Sequence, residues 1–230
     1  MYLYKAKIKF LNPIKTPVHP SGAIIASDTF VSGIMCNAAL VGQAELLKES
    51  LFNRQVEFSS IFSSKKIQTF AVRNAVNRIT SEAAPFPSYY WYAQEGEFWF
   101  RCTKEKNILA LINLLGDSGI GGQRNLGKGR FVVADCQQVP ETNNRQQLVS
   151  LCVPADDDKI DKKQAQWVRR SGYTEESWHG QPNRYKDHIW AIKEKTPLDS
   201  IVKGKITMLD DTIFHYGYAM FVPEETSKSY

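Results

Sequence analysis

The chain has 230 residues, 43% of them hydrophobic and 23% charged, which excludes a disordered polymer and suits two small α+β units sharing a core. Its 29 Lys and Arg against 24 Asp and Glu give a net charge of +5, a surplus that suits a polyanionic partner without requiring one. The four cysteines, Cys36, Cys102, Cys136 and Cys152, have neither zinc-site spacing nor the density of a secreted disulfide framework, and no apolar run is long enough to span a membrane; reduced thiols in a cytoplasmic protein are expected.

Tyr2, Tyr4, Ala6, Ile8 and Phe10 alternate with Lys5, Lys7 and Lys9, the period of a strand with one buried face, and this start lacks the apolar stretch of a signal peptide. Pro13, Pro17 and Pro20 follow. Ser27 then stands as an N-cap before Phe30, Val31, Ile34, Met35 and Ala38, which predict a helix running to about Leu51 with a break at Gly42. Residues 52–87 show little periodicity and read as an arm inserted into the domain. The aromatic segment from Ser88 to Cys102 reads as a hairpin turning at Glu95-Gly96, with Phe98, Phe100 and Cys102 on one face and Trp99 and Arg101 on the other. Ile108, Leu109, Leu111, Ile112 and Leu115 mark a second helix that Gly116 can terminate, and the segment from Arg130 to Val139 reads as a strand.

The order is β-α-β-β-α-β, the ferredoxin-like pattern shared by RRM-type domains. The expected architecture is α+β: two ferredoxin-like, RRM-like halves, residues 1–140 and 141–230, the second a degraded copy. The second half offers a strand from Gln147 to Val153, a basic and aromatic middle, and a terminal strand around Phe214 to Val222.

Between the second helix and the strand after it lies the segment of greatest chemical interest. From Gly116 to Phe131 there are six glycines and three basic residues in sixteen positions. Glycines let backbone N–H groups approach an anion closely, and Arg124, Lys128 and Arg130 can neutralise phosphates. Gly122 to Lys128 also spells the start of a nucleotide-binding P-loop, but Gly129 stands where Ser or Thr would hold magnesium, and the segment runs from helix to strand. A plainer alternative gives the glycines only turn and packing roles; the interleaved Arg and Lys are what it leaves unexplained.

These residues carry a resemblance. GDSGIGGQRNLGKGRF is similar to the Gly-rich loop of the RAMP proteins of CRISPR systems, and within them to the fourth subunits of type III-A (Csm) effectors. SDTF at Ser27 to Phe30, RNAVNRIT at Arg73 to Thr80 and HYGYAMFVP at His215 to Pro223 resemble other segments of that family, in its order. Asn125-Leu126-Gly127-Lys128 departs from the family's commoner Ser-Ser-Gly-Tyr/Phe, and the second half is short. The resemblance implies a non-catalytic subunit without cofactor or metal that caps the 5′ handle of crRNA. It further implies contacts with the large polymerase-containing Csm subunit and with a Csm backbone RAMP subunit, no membrane, and no obligate homo-oligomer. The residues matched to RNA binding are Ser27, Asp28, Arg73, Arg78, Gly119, Gly121, Gly122, Arg124, Gly127, Gly129 and Arg130, to which the charge of Lys128 adds a phosphate contact.

Other features weigh on this reading. Trp167, Arg169 and Arg170, then Trp178, Arg184, Tyr185 and Lys186, suit either an RNA or partner surface or an amphipathic segment whose tryptophans reach the core. Lys5, Lys7 and Lys9 suit a solvated sheet face, and Asp156 to Asp158 an exposed turn. The rival from another class is a RAMP endoribonuclease that processes crRNA precursors with a histidine base, and His19, His179, His188 and His215 are its candidates.

Overall fold

The computed structural model describes residues 1–16, 23–63, 66–67, 80–82, 91–122, 124, 127–141, 146–161, 163–173, 185–209 and 213–223. Its centre is β1 (Tyr2–Thr16), which pairs antiparallel with β6 (Trp91–Cys102) on one side and β7 (Phe131–Val139) on the other. The alternation read from the sequence decides the faces: Tyr4, Ala6, Ile8 and Phe10 are buried, Lys7 and Lys9 exposed. Pro13 lies inside β1, where the register with β6 shifts between Lys9 and Ile14, so the strand absorbs it at a bulge.

The expected hairpin at Glu95-Gly96 is instead one continuous strand. Gly96 sits in the middle of β6 opposite Ile8, where an added Cβ would lie 2.7 Å from the Ile61 side chain. Here glycine marks a close approach of neighbouring chains, the other meaning it has in a strand. The strand assigned to the hairpin's first arm is supplied by the segment expected to be an arm. β3 (Val56–Phe58), β4 (Ile61–Phe62) and β5 (Lys66–Ile67) pair in turn along β6, and Phe58 and Ile61 are fully buried. Residues 64–65, 68–79 and 83–87 of the expected arm lie outside the described residues.

α1 (Ser27–Leu40) and α2 (Ala44–Phe52) are separate helices. The break falls at Gly42 as expected: Gly42 and Gln43 donate back to Ala39 and Ala38 in a Schellman-type close. α3 (Glu105–Ser118) runs through Gly116, which lies against the Phe131 backbone, and ends at Gly119. The helices cover one face of the sheet, with Phe30, Ile34, Ile112 and Leu115 packing on Tyr4, Ile8, Phe98 and Phe100. The strand order β3–β6–β1–β7, all antiparallel and crossed by helices on one face, is that of a β-α-β-β-α-β unit. A short β2 (Ala23–Ile25) extends it through β4.

The described residues beyond Val139 hold only strands and loops: β8 (Gln146–Leu148), β9 (Trp167–Tyr173), β10 (Tyr185–Ile192), β11 (Thr207–Met208), β12 (Phe214–His215) and β13 (Phe221–Pro223). They pair as β8 with β13, β9 with β10 and β11 with β12, so the two helices of a second ferredoxin-like copy are absent among the described residues. The expected terminal strand is split, and this stretch packs on both faces of the main sheet. Tyr216 and Tyr218 enter the helix-side core, while Met220 and Val222 join Leu3 and Trp99 on the opposite face of the sheet. Arg101 reinforces that seam, donating to Glu57, Glu141 and the Phe221 carbonyl.

All four cysteines are free thiols, Cys102 and Cys152 buried. Burial pushes the Cys102 thiol up to about 11 and those of Cys136 and Cys152 up to about 12, so these three stay protonated at neutral pH. No helix among the described residues is long and apolar enough to cross a membrane.

Candidate nucleic-acid interface

The Gly-rich segment forms a closed loop. Ile120 is buried among Gly33, Leu115 and the sheet, and its N–H donates to the Gly129 carbonyl, tying the two ends of the loop together. At Gly129 the backbone has φ +77, and an added Cβ would fall 1.9 Å from the Ile120 carbonyl oxygen, so only glycine fits. Gly119, Gly121 and Gly127 also have positive φ. Strand β1 holds the loop from outside: Asn12 donates through Nδ2 to the Gly127 carbonyl at 3.2 Å, and Leu11 N–H donates to the Arg130 carbonyl at 2.8 Å. Gly121 rests on Ile14 and faces Ile25.

This frame brings Gly119, Gly121, Gly122, Arg124, Gly127, Lys128, Gly129 and Arg130 together at the end of α3 and the edge of the sheet. Gly121, Gly122 and Arg130 are exposed, Arg124 and Lys128 half-buried. Around Gly122 an added Cβ would meet nothing within 4 Å, so there is open space on that side of the chain. Three cations on a glycine-framed loop are groups suited to holding a phosphodiester chain.

Ser27 and Asp28 are placed differently. The helix N-cap is Ala26, one residue earlier than expected, and Ser27 is fully buried. Its Oγ accepts the Leu151 N–H at 3.0 Å, while its own N–H donates to Ser60 Oγ, which in turn donates to Glu194. Ser27 therefore links the start of α1 to Ser60 and Leu151. Asp28 is held by Arg170, whose Nε and Nη2 each donate to its carboxylate at 2.8 Å. Burial pushes that carboxyl up, but the guanidinium and its hydrogen bonds more than reverse the effect, leaving it below the ordinary range. These roles could not be read from spacing, because both partners lie more than a hundred residues away. Arg73 and Arg78 lie outside the described residues, as do His19, His179, Trp178 and Arg184.

Lys5, Lys7 and Lys9 do not form a basic track. Lys5 pairs with Glu97 at 3.3 Å, and the partners of Lys7 and Lys9 across the ladders include Glu97, Asp135 and Glu95. The Asp156–Asp158 turn is likewise structural: Asp156 and Asp157 pair with Lys205 and Lys203, and Asp158 accepts three backbone N–H groups. Among the described residues no group of His, Cys, Asp and Glu could hold a metal ion. Of the two described histidines, His215 is buried, and burial pulls its imidazole below the ordinary value; His188 is exposed on β10.

The basic and aromatic middle of the second half, unassigned to any element from sequence, is the β9–β10 hairpin. Arg170 faces inward to Asp28, and Trp167 is half-buried against Cys152 and Ile192, so that much of the cluster is packing.

No family model and no curated protein matches the sequence. Solved structures do. A chain of the Csm3–Csm4 subcomplex of the type III-A CRISPR-Cas interference complex superposes with a TM-score of 0.60 at 14% identity, over 98% of this chain and 100% of that one. A chain of the Csm1–Csm4 cassette in complex with pppApA gives 0.56 at 10% identity, over 98% and 100%, and one in complex with AMPPNP gives 0.56 over 96% and 98%. Csm4 is the subunit these complexes share, and the chain has its fold along nearly its whole length.

Proposed function

We propose that this protein is a non-catalytic RNA-binding subunit of a type III-A CRISPR effector, holding the 5′ handle of crRNA on its Gly-rich loop. It would bridge to the large polymerase-containing subunit and to the neighbouring backbone subunit. The observation that carries this reading is the near-full-length likeness in fold to chains from Csm4-containing complexes, in which the companion subunit is Csm3 or Csm1. The loop supplies the chemistry: open space beside Gly122 and three cations on a frame fixed to β1.

Support for the non-catalytic part comes from the two candidate histidines among the described residues, His188 and His215; His19 and His179 lie outside them. His215 is sealed in the core, where a buried, neutral imidazole has no route to a phosphodiester. His188 is exposed on β10, outside the loop, and the cleavage test below decides its part.

The test uses the purified chain with three RNAs: a guide carrying its 5′ handle, the same guide without the handle, and a precursor. Handle-dependent binding with every RNA left intact is expected. Metal-independent cutting of the precursor, lost on histidine substitution, would replace this reading with the processing nuclease.

A further inference from the structure

The β9–β10 hairpin has two unlike faces. Val168 and Ile189 pack inward with Ala191 on Ala26, Leu151 and Val153, and Arg170 on the same face is clamped to Asp28. The ladder pairs Arg170 with Ile189 and Arg169 with Trp190, so Arg169 and Trp190 share the opposite face, which enters the core at one end through Trp167 and Ile192 and is exposed beyond them. Directly opposed side chains there have Cβ atoms about 5 Å apart. Arg169 is exposed and Trp190 is 55% exposed, an unusual setting for the residue type that is on average among the most buried.

The remaining exposed positions of the hairpin sharpen the picture. The register shifts between Lys186 and Ile189, and the displaced residues Asp187 and His188 are both exposed; Tyr185 beyond them is 53% exposed. The exposed set is thus rings, charges and Ser171, with no aliphatic side chain. A face that docks a protein through hydrophobic contact would carry Leu, Ile, Val or Met; flat rings beside a guanidinium are what stacks bases and neutralises phosphates.

Position adds to composition. The hairpin packs on Ala26 and Asp28, and the Gly-rich loop faces Ile25 through Gly121, so both hang on the same four-residue junction between β2 and α1. The inward face is fixed by packing and by the Arg170 clamp, so the outward face is displayed without freedom to fold away.

We propose that the outward face of the β9–β10 hairpin is a second contact for single-stranded RNA, on which Trp190 stacks a base and Arg169 holds an adjoining phosphate. Its recognition is independent of sequence, because every base offers a π-face. The proposal rests on the reading above only in taking RNA as the ligand.

The experiment measures binding by the full chain of two probes, a guide RNA with its 5′ handle and a handle-less oligouridine, across a salt series. The variants are Trp190→Ala, Trp190→Phe, Arg169→Gln and the Trp190→Ala/Arg169→Gln pair, with Arg124→Ala/Arg130→Ala as the loop control. Trp190→Ala should weaken oligouridine binding roughly five-fold or more, with Trp190→Phe retaining most of the affinity. Arg169→Gln should flatten the salt dependence. Unchanged affinity for both probes in the folded hairpin pair overturns the proposal, and does so without touching the loop if Arg124→Ala/Arg130→Ala still loses handle preference. The converse pattern, hairpin variants impaired and loop variants normal, sinks the handle-capping role and sustains this one. Retained RNA affinity with lost association to a companion subunit would make the face a protein contact and also overturn the proposal.

Discussion

Asp28, in the first turn of α1, and Arg170, on β9, meet through two hydrogen bonds of 2.8 Å although 142 positions separate them in the chain. Both side chains are largely buried, at 13% and 21% exposure. Arg170 also donates to Thr29 Oγ1, completing a bidentate clamp between the helix layer and the hairpin. Removing the guanidinium leaves a buried carboxylate uncompensated, which costs about 3 kcal/mol at such sites. Arg170→Met should therefore lower the chemical-denaturation midpoint by an amount equivalent to about 3 kcal/mol, and Asp28→Asn/Arg170→Met should recover part of that loss. An Arg170→Met chain as stable as the wild type would show the clamp to be dispensable.

The same neighbourhood sets a pH profile. The Asp28 carboxyl lies below its ordinary value once folded, so its stabilisation is present above about pH 4 and disappears as pH falls through the folded pKa. His215 is also depressed, by burial and then by the Lys186 charge. Neutral in the core, it loses its contribution as pH falls below about 6.5, where the unfolded chain takes up a proton first. Glu194 has the opposite sign: burial raises its pKa above the ordinary 4.5, so its folded state is favoured at low pH and penalised as pH rises through that value. Glu194→Gln, whose side-chain carbonyl can still accept from Ser60, should raise Tm at pH 7.5 and leave it unchanged at pH 4. Equal shifts at both pH values would mean that charge is not the cause.

How much of this was legible in the sequence divides by the range of the interaction responsible. The alternation from Tyr2 to Phe10 and the helical spacing from Ile108 to Leu115 report local burial, and both elements formed where those patterns lie. Gly96 and Gly116 misled, because a turn glycine and a packing glycine look alike until the neighbour, Ile61 or Phe131, is known. That the first part of the expected arm joins the sheet was hidden for a related reason: β3 and β4 are only three and two residues long, too short for a period to show, and burial alone makes them strands. The candidate loop was readable as chemistry; its closure by Asn12 and Ile120 was not. Ser27 and Asp28 were matched to RNA by resemblance, yet their contacts are with Leu151 and Arg170, which no spacing rule connects to them.

Two glycines of the loop should respond oppositely to alanine. At Gly129 the added methyl meets the Ile120 carbonyl in a backbone conformation that non-glycine residues adopt only under strain, so Gly129→Ala should cost about 2 kcal/mol or more and disorder the loop. At Gly122 there is open space, and the fold should not notice the change. RNA affinity should fall in both variants if a backbone N–H near Gly122 contacts a phosphate closely. Gly122→Ala with native stability and native RNA binding would move the contact away from that residue.

The salt dependence of binding counts the loop's phosphate contacts directly. Each cation that neutralises a phosphate of single-stranded RNA releases condensed counterion and adds about 0.7 to the slope of log affinity against log salt. Arg130 is exposed and Arg124 half-buried, both on a loop that the Asn12 amide and backbone hydrogen bonds fasten to β1. Substituting them should therefore leave the thermal transition in place while reducing the slope by about 0.7 for Arg130→Ala and about 1.4 for Arg124→Ala/Arg130→Ala. Weaker binding with an unchanged slope would mean that these arginines act through loop shape and not through charge. An unchanged affinity would place the handle elsewhere on the chain, with the hairpin face of Arg169 and Trp190 as the next surface to test.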